Sequence, residues 1–330
     1  MIRSTMKRLV LSVAIMGLAA GSAEAAVEKV RVGVLKFGTV NWEIETIARE
    51  GFDKANGFEM EVVQLAGNDA TKVALESGEV DIIVSDWLHV ARQRAEGQML
   101  TFVPYSTSVG AVMVPCDGEV KALPDLKGKK IGVAGGPLDK SWLMIRGLAE
   151  GQSGFDLKGE TEQAFGAPPL LAEKLKQGEL GAALNYWHYN ARLETEGYCP
   201  LVSAQDAARS LGAEGDISAI GYVFSEDWAN ANREVALGFV KASRDAKDLL
   251  AGSDEAWDKI RPMMKAEDDK VFDTLKLRYR EGIPTRAIAD EERDTGKVYD
   301  YLAKVGGEKL VGKAKTMPVG TFWSELKNGT

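Results

Sequence analysis

Four short stretches of this chain set aromatic rings beside polar groups in a way that suits ligand binding. They are Phe37-Gly38-Thr39-Val40-Asn41-Trp42, Ser85-Asp86-Trp87, Gly135-Gly136-Pro137-Leu138-Asp139-Lys140-Ser141-Trp142 and Asn185-Tyr186-Trp187-His188-Tyr189. Each carries a Trp, and Glu43, Asp86 and Asp139 place carboxylates next to the rings. Indole faces stack on planar ligands and attract organic cations. The alternative for each Trp is to pack a helix start onto a sheet. The three carboxylates could also give hard oxygen ligands to a metal or metal chelate, although acids at helix starts ordinarily cap the helix and complement its dipole.

Catalysis finds little support. The two histidines, His89 and His188, and the two cysteines show no zinc-type spacing. There is no nucleophile elbow, phosphate loop or dinucleotide fingerprint. The Gly-rich run Gly132–Gly136 lacks the further glycine and the downstream context that such a fingerprint needs. The chemistry points to binding without a cofactor.

The elements that would position these loops alternate between strand and helix. Apolar strands are expected at 30–36, 59–65, 81–84 and 100–103, with helices at 42–56, 70–77 and 87–96 between and after them. The order then recurs: strands at 130–133 and 182–185, helices at 141–151, 170–177 and 187–196. Such alternation predicts mainly parallel sheets with helices on both faces. All four aromatic loops then fall at the carboxyl ends of strands, where ligands of open α/β sheets bind. Each loop also opens a helix, so free backbone N–H groups point into the same space.

Residues repeat as well as elements. Leu75, Gly78, Glu79, Trp87, Ala91, Arg92, Glu96 and Gly97 match Leu175, Gly178, Glu179, Trp187, Ala191, Arg192, Glu196 and Gly197, each 100 positions on. Trp42, Glu50 and Gly51 match Trp142, Glu150 and Gly151 at the same offset. A two-copy period of that length is too long for a solenoid and describes two similar α/β lobes. Residues 26–108 are expected to begin the first lobe, 109–220 to form the second, and 221–330 to return to the first and complete it with helices. The two crossovers would act as hinges, near Ser108–Gly110 and Ile220–Tyr222.

The first 25 residues read as a secretory leader: Arg3, Lys7 and Arg8, an apolar run from Leu9 to Ala20, then Ala23-Glu24-Ala25. The run is shorter than the ~20 residues that span a bilayer. Its removal takes a net +2 from the −8 of the 330-residue chain and leaves −10. That balance argues against nucleic-acid partners. In an oxidising compartment Cys116 and Cys199 are candidates for a disulfide, with the unbridged state the open alternative.

Three motifs carry a family resemblance: GEVDIIVSD at 78–86 followed by Trp87, LKGKKIGV at 126–133, and GELGAALNYWHYNARLETEG at 178–197. They resemble segments of the nitrate/sulfonate/taurine-type solute-binding proteins, a group that includes thiamine-pyrimidine binders. The similarity covers nearly all of the chain after the leader. It implies a two-lobed periplasmic-binding-protein fold, export to the periplasm, and a monomer that hands a small molecule to an ABC permease in the inner membrane. Some fungal relatives on this fold are enzymes, but their cysteine-rich iron segment has no counterpart here. Gly181 stands where the family commonly has Asp, and Tyr189 where it has Pro, so ligand identity is not carried over. The expected ligand contacts are Phe37, Asn41, Trp42, Ser85, Asp86, Trp87, Ser108, Pro137, Asp139, Lys140, Trp142, Asn185, Tyr186, Trp187 and Tyr222. An aromatic or cationic solute is favoured. An oxyanion would be met by only two well-placed cations, Lys36 and Lys140. A ligand-sensing module remains the other binding alternative.

Overall fold

The structure is a computed structural model that describes residues 28–328. The expected leader at 1–25 lies outside the described residues. The first half of the chain runs β1 (Glu28–Leu35), α1 (Val40–Glu50), α2 (Phe52–Ala55), β2 (Phe58–Leu65), α3 (Asn68–Glu76), β3 (Ile82–Ser85), α4 (Trp87–Ala95) and β4 (Leu100–Ser106). The second half keeps the same alternation, with a crossover strand added at each end. It runs β5 (Ala111–Pro115), β6 (Lys130–Ala134), α5 (Lys140–Ser153), β7 (Glu162–Gly166), α6 (Pro168–Lys176), β8 (Ala182–Asn185), α7 (Trp187–Thr195), β9 (Tyr198–Ser203), α8 (Ala204–Ser210) and β10 (Ile220–Ser225). Five helices follow: α9 (Glu226–Ala231), α10 (Arg233–Gly252), α11 (Asp254–Met264), α12 (Asp269–Glu281) and α13 (Ile288–Val311).

Two five-stranded sheets result, with the orders β2-β1-β3-β10-β4 and β7-β6-β8-β5-β9. They share one topology. In the first, β1 pairs parallel with β2 and β3, while β10 runs antiparallel between β3 and β4. In the second, β6 pairs parallel with β7 and β8, while β5 runs antiparallel between β8 and β9. The single antiparallel strand of each sheet is the one that crosses over: β5 follows β4 yet joins the second sheet, and β10 follows the second sheet yet joins the first. Both crossovers are therefore anchored by strand pairing at each end. At the first, a Cβ on Gly110 would run into the Asn185 carbonyl, so only glycine lets the chain pass there.

The 100-residue repeat has a local cause. Gly78 and Gly178 adopt φ of 72° and 74°, and Gly97 and Gly197 adopt 93° and 90°. Each follows a helix and turns the chain through the left-handed region, which favours glycine. The repeat thus preserves helix stops, and with them the spacing from helix to next strand. Strand β1 shows the matching core logic: Val30, Val32 and Val34 alternate into the interior and are buried.

The C-terminal helices do more than complete the first lobe. α10 and α11 pack on α1, but α12 lies along α7 of the second lobe, and α13 packs on both α5 and α4. Charge explains the reach of α12: Arg278 pairs with Glu194 at 2.7 Å, and the Lys270 ammonium donates to the Thr195 carbonyl at the end of α7. The α12–α13 loop is tied to the first crossover, where the Thr107 amide donates to the Gly282 carbonyl at 2.8 Å. The start of α13 is tied to the second, where the Ser218 amide donates to Glu291. Cys116 and Cys199 form a disulfide (Cα–Cα 5.0 Å) that staples β9 to the turn after β5.

Candidate functional site

The strand-end loops of the two sheets face each other, and the two lobes touch. Asp86 caps α4 with one carboxylate oxygen, accepting from the His89 amide at 2.8 Å, and its other oxygen accepts from Lys140 Nζ of the second lobe at 2.8 Å. Burial pushes the Asp86 carboxyl up, but the Lys140 ammonium and the His89 amide outweigh it and hold the group below its ordinary value. Burial pulls Lys140 down, and Asp86 overrides it, so its pKa is raised. Next to this pair, Asp139 caps α5 through the Trp142 amide at 3.0 Å, and burial raises its pKa. On the other flank of the seam, Trp42 of α1 meets Trp187 of α7 edge to face, with centroids 5.9 Å apart.

The expected contacts divide on burial. Phe37, Pro137 and Tyr186 are exposed, while Asn41, Ser85, Asp86, Ser108, Asp139, Lys140 and Trp187 are half-buried. The Lys265 ammonium sits 4.6 Å from the Phe37 ring centre. Asn41 closes its own loop, its Nδ2 donating to the Leu35 and Gly38 carbonyls. Asn185 is buried and holds Pro168 O with Nδ2 and the Tyr186 amide with Oδ1. Ser108 Oγ donates to the Arg278 carbonyl at 3.1 Å.

The four Trp rings do not line one open cleft between the lobes. Trp87 and Trp142 are each 1% exposed and belong to a core cluster with residues of both sheets, with Trp87 packed on Tyr299 of α13. Trp42 is buried against Trp257 and Tyr279 as well as Trp187. Tyr222 lies mid-strand in β10 and donates to Glu43 at 2.8 Å. Glu43 is itself fully buried, holding Lys247 at 2.6 Å together with Ser243 and Tyr279. The physical reason is shared. A large ring in the first turn of a helix that packs on a sheet points down onto that sheet, and the long C-terminal helices cover what would otherwise be open. Of the four, only Trp187 keeps a partly exposed ring.

A cavity of about 230 Å³ opens where the first crossover, α7 and α12 converge. Trp187, Asn190 and Glu194 wall it from the second lobe, and Arg278 and Glu281 from α12. Asn190, Glu194 and Arg278 were missed by sequence reasoning. Asn190 and Glu194 sit three and seven residues after Trp187, one and two turns along the same face of a helix, a spacing that could have flagged them. Arg278 carried no signal, because the tail was assigned to the first lobe alone. A larger cavity of about 320 Å³ lies within the first lobe, and none of its lining residues belongs to the second sheet or its helices.

Comparison with known proteins follows the same lines. The sequence model of the NMT1/THI5-like family matches residues 46–256, well over half of the chain, and the chain belongs to that family. The periplasmic aliphatic sulphonate binding protein SsuA of Escherichia coli superposes with a TM-score of 0.69 at 16% identity, covering 91% of this chain and 99% of that one. The alkanesulfonate-binding protein SsuA from Xanthomonas axonopodis pv. citri, bound to MOPS, gives 0.63 at 15% identity over 89% and 98%. A zinc-bound ligand-binding component of an ABC-type import system from Staphylococcus aureus gives 0.64 at 13% identity over 92% and 98%. No protein of curated function matches the sequence significantly. Family and fold together place the chain among NMT1/THI5-like proteins with the two-lobed α/β fold of periplasmic binding proteins.

Proposed function

We propose that the chain captures a small organic solute, aromatic or cationic, between its two lobes and delivers it to an ABC permease. It acts in the periplasm after removal of residues 1–25, as a monomer and without catalysis. The observation that carries this reading is that groups from both lobes converge at one seam: Asp86 on Lys140, and Trp42 on Trp187. A ligand that touches both lobes favours their closed arrangement, because only differential affinity for two states shifts their balance. Phe37, Tyr186 and Trp187 offer the accessible rings, and Asp86 and Glu194 the negative charge.

An oxyanion is the second reading. Lys140 is the observation that favours it, together with the sulfonate-binding relatives of the same fold. Against it, Lys140 is already neutralised by Asp86 at 2.8 Å. Native mass spectrometry of protein purified from the periplasm tests the proposal. A bound small organic molecule, released on denaturation and restoring saturable binding when added back, is the expected result. Protein that binds neither its own extract nor any added solute would refute it.

A further inference from the structure

We propose that the cavity beside the first crossover holds the ammonium group of the solute, so that the ligand is a small organic amine carrying at least one N–H. This rests on the reading that the ligand is captured between the lobes. It adds the ligand's chemical class and one recognition residue, Asn190, acting beside Glu194 and Trp187.

Three observations converge. The first is charge. Glu194, Glu281 and Asp216 line the cavity against one cation, Arg278. Arg278 pairs with both Glu194 and Glu281, and Asp216 is met from outside the lining by Arg209, so one negative charge is left in excess, which disfavours an anion. Both Arg278 bonds to Glu194 fall on the same oxygen, Oε2, at 3.0 and 2.7 Å. Among the described residues Oε1 is left for another donor.

The second is an orphaned acceptor. Asn190 is 4% exposed and lines the cavity. Its Nδ2 donates to the Asn185 carbonyl at 3.0 Å and the Ala111 carbonyl at 3.3 Å. Those two carbonyls fix the amide's orientation, since flipping it would set oxygen against oxygen. Oδ1 is consequently a buried acceptor with no partner, a state that costs free energy until a donor arrives. A ligand with no N–H or O–H leaves it unpaired, and a quaternary ammonium is one such ligand.

The third is the Trp187 ring at the same wall, which attracts a cation over its face. At ~30 Å³ per water the space amounts to about eight waters, room for a compact amine. Asn190 and Glu194 belong to the second lobe, and Arg278 to the helix that bridges to the first. An ammonium placed among them binds across the seam.

The test uses the mature chain, unfolded and refolded to strip bound solute. Benzylammonium is the probe, with benzyl alcohol as its neutral isostere and benzyltrimethylammonium as a cation without N–H, all followed by calorimetry or saturation-transfer NMR. Benzylammonium is expected to bind at least about tenfold more tightly than either comparator, the scale of one charge-assisted hydrogen bond. Glu194→Gln and Asn190→Leu should each lose about tenfold or more. If Asn190→Leu does not fold, Glu194→Gln carries the test alone, with its fold checked by circular dichroism. Equal binding of benzyl alcohol, no binding of benzylammonium, or unchanged affinity in Glu194→Gln overturns the proposal. A native ligand that engages both lobes but contains no amine overturns it too, while leaving capture between the lobes intact. Absence of any ligand that engages both lobes overturns the two together.

Discussion

Asp86 and Lys140 come from different sheets, each at the start of a helix that follows a strand end, and they meet at 2.8 Å across the seam between the lobes. One carboxylate thereby caps its own helix and holds the opposite lobe. The pair is 31% and 22% exposed, so solvent screens it and its contribution is about 1 kcal/mol or less. That is small beside the stability of a lobe, yet comparable to the difference between two lobe arrangements.

Asp86→Asn and Lys140→Met should therefore leave the melting temperature within a few degrees of wild type and shift the ligand-free protein toward more open forms. Small-angle scattering checks this as a larger radius of gyration in both variants. An unchanged radius in both would show that the pair does not hold the lobes.

Burial sets a different expectation for the tryptophans. Trp87→Ala and Trp142→Ala remove fully buried rings and should each cost ~3–5 kcal/mol of folding stability in denaturant titration. Trp187→Ala, which loses a half-buried ring, should cost clearly less and should change ligand response more. Equal destabilisation by all three would contradict the division between core and cleft.

The histidines give the pH dependence. Burial holds both His89 and His188 down at about 4, against ~6.5 in an unfolded chain. The unfolded state then binds more protons between those values, so their contribution to stability is complete above about 6.5 and is lost as pH falls toward 4. Asp86, lowered below its ordinary 3.8, adds its loss only at still lower pH. Melting temperature should be flat just above neutrality and decline from about pH 6.5 to 4. The decline should be shallower in His89→Gln. A flat profile across that window would refute the assignment.

The Cys116–Cys199 disulfide closes a loop of 83 residues in sequence separation. Its reduction should cost roughly 2–4 kcal/mol by the usual constraint on the unfolded chain, and native unreduced protein should show no alkylatable thiol. Two titratable thiols in that sample would contradict the bond.

Much of the fold was legible in the sequence because its signals are local. Alternating valines mark β1, and Gly78, Gly97, Gly178 and Gly197 mark helix stops whose left-handed turns only the backbone demands. The repeat of Trp87 and Trp187 correctly announced two similar units. It did not announce that the two rings end in different surroundings, because that depends on Tyr299, more than 200 residues from Trp87. Glu43 misled for the same reason. An acid in the first turn of a helix reads as a dipole partner, while its buried partners, Tyr222, Lys247 and Tyr279, are supplied by a later strand and helices. Arg278 is the opposite case, a residue in an unremarkable charged helix that long-range packing brings against α7.

Hydrogen–deuterium exchange with and without the co-purified solute tests capture between the lobes most directly. Slower exchange on ligand addition is expected in segments of both lobes together: 86–90 from the first, 137–142 and 187–194 from the second, and 278–282 at the bridging helix. Protection confined to one lobe, or none at saturating ligand, would contradict it.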